Sequence, residues 1–102
     1  MAEQNFHVLS ELTLLNLADK IEQLDINSKL DVEYFDGILT ISVEKSSKQY
    51  VVNKHSASQK IWYSSPLSGA DYFSYDNNNL KWLNLEQEEL ETKLISELRE
   101  FI

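Results

Sequence analysis

The stretch from Leu30 to Val43 leaves the chain few choices. Leu30, Val32 and Tyr34 alternate with Asp31, Glu33 and Phe35, and Leu39, Ile41 and Val43 resume the alternation after Asp36-Gly37. Strand side chains point to opposite faces in turn, so one set faces a core and the other faces away from it. Asp-Gly between the two runs suits a two-residue type I′ hairpin turn, in which both central residues need φ > 0. Such a turn pairs Phe35 with Ile38 and Tyr34 with Leu39, which puts Leu39, Ile41 and Val43 on the core side and sends Asp31 and Glu33 out of the other face. An isolated two-stranded hairpin is marginal in water, so its apolar face must be covered.

The flanking sequence predicts the cover. From Glu3 to about Leu24, the residues Phe6, Leu14, Leu17, Ile21 and Leu24 fall on one stripe at helical spacing. Val8, Leu12 and Leu15 lie on a different side, together with Glu11, Asp19 and Glu22. Soluble proteins tolerate such stray aliphatics; an oligomer or partner contact is the sharper alternative. After the hairpin, Lys45-Ser46-Ser47-Lys48 predicts a turn, Gln49 to His55 a third strand and Gln59 to Ser64 a fourth. Tyr72 to Asp76 and Leu80 to Leu83 predict a short hairpin around Asn77-Asn78-Asn79, whose amides favour turns. Tyr50 and Val52 join the core, Val51, Asn53 and His55 share the open face with Lys60 and Trp62, and Trp82 closes the sheet or enters the core. Asn84 is the expected N-cap of a last helix, with Glu86, Glu88 and Glu89 near its positive end. Leu90, Leu94, Ile95, Leu98 and Phe101 give that helix its apolar side. Helix, run of strands, helix is an α+β order: an αβ sandwich with two helices on one face of an antiparallel sheet of five to six strands, the other face left open. At 102 residues the expectation is a single domain, 1–102, with one core.

Composition removes several function classes. There is no cysteine, which excludes disulfides, thiolate metal sites and cysteine nucleophiles. The net charge of −8 speaks against nucleic acid or an anionic membrane surface as partner. The opening residues lack the features of a signal or transit peptide and no apolar run reaches membrane-spanning length, so the expectation is a soluble protein that works where it is made. His7 and His55 sit in different elements, and no zinc spacing, phosphate-cradling glycine loop or nucleophile elbow occurs. Ser64, Ser65 and Ser68 are read as satisfying backbone groups in a loop.

Charge is unevenly distributed. Glu3, Glu11, Asp19, Glu22, Asp25, Asp31, Glu33 and Asp36 outnumber Lys20 and Lys29 early in the chain, whereas Lys45, Lys48, Lys54, Lys60 and Lys81 outnumber Asp71 and Asp76 later. Asp19 and Glu22 are neighbours on the first helix, Asp25 closes it, and Asp31 and Glu33 project from the adjacent strand; Glu11 extends the candidate set on the outward side of the helix. A ridge of oxygens suits hard cations bound at the surface with waters retained, without selecting iron over calcium, magnesium or manganese. An acidic face that only keeps the protein in solution is the plain alternative.

Asn53 to Gly69 holds the second candidate, Trp62. Between Ile61 and Tyr63, it cannot share a sheet face with either. It lies flat under a loop or serves as a partner anchor, the residue type most enriched in interface hot spots.

That stretch also resembles the signature of the frataxin family, including its bacterial CyaY branch, through Asn53, Lys54, Ile61, Trp62, Ser64, Ser65, Pro66, Ser68 and Gly69. The similarity extends to Leu30 to Ile41, to Trp82 and to both helices. It departs at His55 and Lys60, where glutamine is usual, and at Ala57, where proline is usual. The resemblance implies the same αβ sandwich and a non-enzymatic, cytoplasmic adaptor of iron–sulfur cluster assembly. It implies iron bound weakly on Asp19, Glu22, Asp25, Asp31 and Glu33, and a cysteine desulfurase and a scaffold protein as partners. Docking is expected on the open sheet face through Trp62 with Asn53, and through Lys60, where this chain departs from its relatives; the resemblance also implies a monomer that can oligomerise with iron. Some bacterial members are acidic at the positions of Ala18, Gln23, Asn27 and Lys29, so the ridge here is thinner. The competing expectations are a ferroxidase that stores iron in oligomers and an acidic binding module without a metal.

Overall fold

The computed structural model describes residues 3–102. The elements are α1 (Glu3–Leu24), β1 (Leu30–Phe35), β2 (Ile38–Val43), β3 (Gln49–His55), β4 (Lys60–Ser65), β5 (Gly69–Asp76), β6 (Lys81–Leu83) and α2 (Leu90–Leu98). The strands form one antiparallel meander in sequence order, and two helices pack on it. The Asp36-Gly37 turn has φ of 49° and 78°, and Phe35 pairs with Ile38 and Tyr34 with Leu39, as the alternation requires. Gly37 is needed for space as well as for its dihedral angle: a Cβ there would lie 2.6 Å from Lys54 Cε, because the lysine stem runs across the turn.

Phe6, Leu14, Leu17 and Ile21 of α1 and Leu90, Leu94 and Leu98 of α2 bury into one core with Leu39, Ile41, Tyr50, Val52, Ile61, Tyr63 and Phe73 of the sheet. Each large side chain so buried contributes about 1.5–3 kcal/mol from water exclusion. Trp82 closes the corner: it is buried, meets Phe6 edge-on at 6.0 Å and donates Nε1–H to Thr13 Oγ1 at 2.9 Å. Val32 and Tyr34 are only partly covered, because β1 is an edge strand. Val8, Leu12 and Leu15 are exposed on the outer side of α1.

Three boundaries differ from the sequence expectation by more than one residue. Asn84 does not cap α2. Its Oδ1 accepts from the N–H groups of Glu86 and Glu88 at 3.1 and 2.7 Å and folds residues 84–88 into a turn of their own. Gln87, at φ 64°, interrupts any helical path, so α2 begins at Leu90 with Glu89 in the N-cap position and without a side-chain capping bond. Asparagine favours such side-chain turns for the same reason that it favours N-caps. β5 starts at Gly69 rather than Tyr72, since Ser65 pairs with Gly69 and leaves only Pro66, Leu67 and Ser68 to connect the strands. α2 ends at Leu98, so Phe101 packs from beyond the helix, edge-on to Tyr50 at 6.4 Å.

Candidate functional site

The predicted ridge carboxylates occupy the α1–β1 flank, but not as one set. Asp19 and Glu22 are exposed on α1, and Asp31 and Glu33 are exposed on β1 opposite Ser42 and Thr40. None of these four forms an ion pair among the described residues. Lys20, the helix cation nearest to them in sequence, turns away to Glu91 of α2 at 2.9 Å. Asp25 behaves differently: Oδ1 accepts from Lys29 N–H at 2.7 Å and Oδ2 from Leu30 N–H at 2.8 Å. It thereby holds the reversal from α1 into β1, where Ser28 sits at φ 53°. Glu11 stands two turns of helix before Asp19, roughly 12 Å along the axis, beside His7 Nε2 at 3.8 Å.

Among the described residues, no three acidic or imidazole side chains gather closely enough to chelate one ion. The flank is a row of single, exposed oxygen donors. That donor set fits a hard cation that keeps most of its water, held by local field more than by direct ligation.

The second surface is the open sheet face. Phe35, Ile38, Asn53, Trp62 and Tyr72 are successive cross-strand partners, a continuous row from β1 to β5. Trp62 is 37% exposed and does not lie under a loop. The His55 ring stacks on it with centroids 3.8 Å apart and planes 12° apart, and Tyr72 meets it edge-on at 5.4 Å. Lys60 is exposed on the same face opposite His55. Lys54 falls on the other side, where Nζ donates to His7 Nδ1 at 2.6 Å. The lysines of the later half are thus divided between two surfaces: Lys60 stands beside Trp62 on the open sheet face, and Lys54 reaches α1.

A polar clamp behind this face was missed by sequence reasoning. Glu97 of α2 accepts from Ser65 Oγ at 2.5 Å, Ser68 Oγ at 2.8 Å and Tyr50 OH at 3.3 Å. Ser65 Oγ in turn accepts from the N–H groups of Leu67 and Ser68 at 2.9 and 3.0 Å, the loop role expected of the three serines; Ser64 instead lies within β4 and Ser68 gives its hydroxyl to Glu97. Burial pushes the Tyr50 phenol up to about 12, with Glu97 adding to it. Burial, reinforced by Glu97, raises Tyr63 further still. The signal was present: Glu97 lies seven residues after Leu90 and three after Leu94, a carboxylate at an apolar-stripe position. Beside this clamp, Asp71 accepts from Asn84 Nδ2 at 2.8 Å and from Lys93 Nζ at 3.2 Å, tying β5 to α2.

A family model for the frataxin-like domain matches residues 1–102. The chain is 33% identical to mitochondrial frataxin of Arabidopsis thaliana over 95% of its own length, and it spans about half (53%) of that protein. It is 33% identical to the iron–sulfur cluster assembly protein CyaY of Thioalkalivibrio sulfidiphilus, over 82% of this chain and 77% of the relative. Among solved structures, frataxin from Psychromonas ingrahamii superposes with a TM-score of 0.81 at 20% identity, covering 98% of this chain and 91% of that one. This likeness bears on the fold. Trimeric frataxin from the yeast Saccharomyces cerevisiae, complexed with ferrous iron, superposes with a TM-score of 0.77 at 30% identity, covering 92% and 85%. With its whole length matched by the family model, its meander of six strands and its two covering helices, the chain belongs to the frataxin family.

Proposed function

We propose that this protein is a non-enzymatic, iron-binding adaptor of cytoplasmic iron–sulfur cluster assembly that modulates a cysteine desulfurase and its scaffold partner. The observation that carries the reading is the pairing of two surfaces. Carboxylates that form no ion pair among the described residues line α1 and β1, and a cross-strand row of Phe35, Ile38 and Asn53 runs from the same β1 strand to Trp62, which His55 and Tyr72 hold in place. The carboxylates raise the local concentration of a hydrated cation and steer a basic partner surface. Trp62, already held by His55 and Tyr72, supplies short-range contact at little ordering cost. The CyaY relative is an iron–sulfur cluster assembly protein by name and the yeast relative is complexed with ferrous iron, which supports the choice of cargo and pathway.

The test is calorimetry of the purified chain with iron and with the desulfurase and scaffold of the same cell. Trp62→Ala should weaken partner binding and leave the iron titration unchanged. Asp31→Asn with Glu33→Gln should lower cation affinity and flatten the salt dependence of association. Unchanged values in both variants would sink the reading. A ferroxidase working in oligomers is the second reading, favoured by the trimeric state of the yeast relative. It requires oxygen consumption on Fe(II) addition that Asp19→Asn with Glu22→Gln abolishes.

A further inference from the structure

We propose that the His55–Trp62 stack makes the open sheet face a proton-gated docking site, which binds a carboxylate-bearing protein surface more tightly once His55 is protonated. The proposal rests on the reading of the Trp62 face as a docking surface and adds its regulation and the charge of the patch that it meets.

The geometry gives the protonated ring a partner. Ser58 Oγ lies 2.7 Å from His55 Nδ1 and 3.5 Å from the His55 carbonyl, so the hydroxyl can serve either tautomer of the neutral ring and accepts from Nδ1–H once the ring is protonated. An imidazole is the side chain whose charge ordinarily changes between about pH 5 and 8. Protonation converts a stack of two neutral rings, 3.8 Å apart, into a cation over an indole face, which the indole quadrupole favours. It also places two positive charges side by side, because His55 pairs across the ladder with Lys60.

The surroundings do not neutralise that pair. Facing His55 are Ser58 from the turn, Lys60 and Trp62 from β4, and Tyr72 beyond Trp62 on β5, and on the other side of β3 Asp36 stands in the β1–β2 turn next in register, beyond the Gly37 carbonyl that accepts from Lys54 N–H. Among the described residues no carboxylate pairs with His55 or Lys60. Asp76, farther along β5, has its oxygens engaged by Asn78 N–H and Asn79 Nδ2 within its own turn. The repulsion between His55 and Lys60 is therefore left for a ligand to relieve, and a carboxylate laid across both would do so. By linkage, a partner that favours the protonated ring binds with proton uptake and is itself favoured as pH falls. The sheet face is then polarised, with Asp31 and Glu33 at the β1 edge and the two switchable or fixed cations at the β3–β4 turn.

The experiment measures the affinity of the desulfurase and of the scaffold by calorimetry from pH 8 to pH 6, for wild type, His55→Gln and Trp62→Ala. Circular dichroism confirms the fold of each protein, and the Trp62 indole N–H is followed by NMR. Wild type should gain roughly two- to fivefold for the partner that needs Trp62, the size of one exposed ion pair, and the indole N–H should titrate together with the His55 ring protons. His55→Gln, which also removes the ring stacked on Trp62, should bind more weakly than wild type at pH 8 and show no gain between pH 8 and pH 6. Equal pH slopes in wild type and His55→Gln, or a wild-type affinity that falls on acidification, would overturn the gate and leave docking intact. Unchanged affinity of Trp62→Ala at every pH would overturn docking and the gate together.

Discussion

On the α1–β1 flank, Asp19, Glu22, Asp31 and Glu33 meet neither a cation nor a backbone donor among the described residues, whereas around α2 the carboxylates of Glu97, Asp71 and Glu91 each bind a different element. The chemical group is the same and its use is opposite. An exposed carboxylate keeps its water and adds little to stability, but its field extends outward. A carboxylate that accepts several hydrogen bonds at a partly covered site holds its donors in place. Asp25 falls between the two: it lies at the end of the ridge, yet both oxygens serve backbone N–H groups. Position on an acidic flank therefore does not decide what a carboxylate does; the number of internal donors does.

Stability measurements can break this division. Glu97→Ala should cost the most, about 2–3 kcal/mol, because it strips the acceptor from Ser65, Ser68 and Tyr50 at once. The midpoint of urea unfolding reports it, and a loss below about 0.5 kcal/mol would mean that the clamp is idle. Asp25→Ala should cost roughly 1 kcal/mol, as removal of a helix cap does. A null effect there would return Asp25 to the ridge.

Periodicity explains why so much of the fold was legible. The Leu30–Val43 register, the α1 stripe from Phe6 to Ile21 and the outward parity of Trp62 follow from spacing within a few residues and are present as expected, while Leu24, at the end of the helix, stays outside the core. The carboxylates were visible too, but their partners were not. Glu97 reaches Tyr50 across 47 positions, Ser65 across 32 and Ser68 across 29, and no local pattern encodes such pairings. Lys20 could equally have turned to the ridge; the packing of α2 beside α1 gave it Glu91. The His55–Trp62 stack was recoverable, since pairing Asn53 with Trp62 makes His55 a diagonal neighbour within reach of an aromatic ring. Asn84 failed as a capping signal because one residue type serves two local hydrogen-bonded turns.

Next in size is the acid limb. Burial tends to raise the Asp71 carboxyl, but bonds from Asn84, the Tyr72 N–H and Lys93 outweigh it and hold it below the usual carboxylate range. Its contribution to folding is therefore complete above the unfolded value of about 3.9 and disappears as pH falls through the lower folded value. For Lys93, burial works downward, while Asp71, Glu88 and Glu97 carry it above its ordinary range. Its contribution is present below about pH 10.4 and is lost as pH climbs through the folded value. Asp71→Asn should lower stability at pH 7 by about 1 kcal/mol and make unfolding less steep below about pH 4. Equal acid slopes in the variant and wild type would remove Asp71 from the tied class.

The smallest expected change is the most direct probe of the other flank. Asp31→Asn with Glu33→Gln removes two exposed charges that pair with no cation among the described residues, so the unfolding free energy should change by no more than about 0.5 kcal/mol. The sign should be stabilising at low salt and vanish at high salt, because what is removed is repulsion from neighbouring carboxylates, which ions screen. A substantial loss would mean that β1 depends on these side chains for its own pairing. A small gain, together with weaker cation binding, would place their value outside the fold, in the field they present to whatever approaches β1.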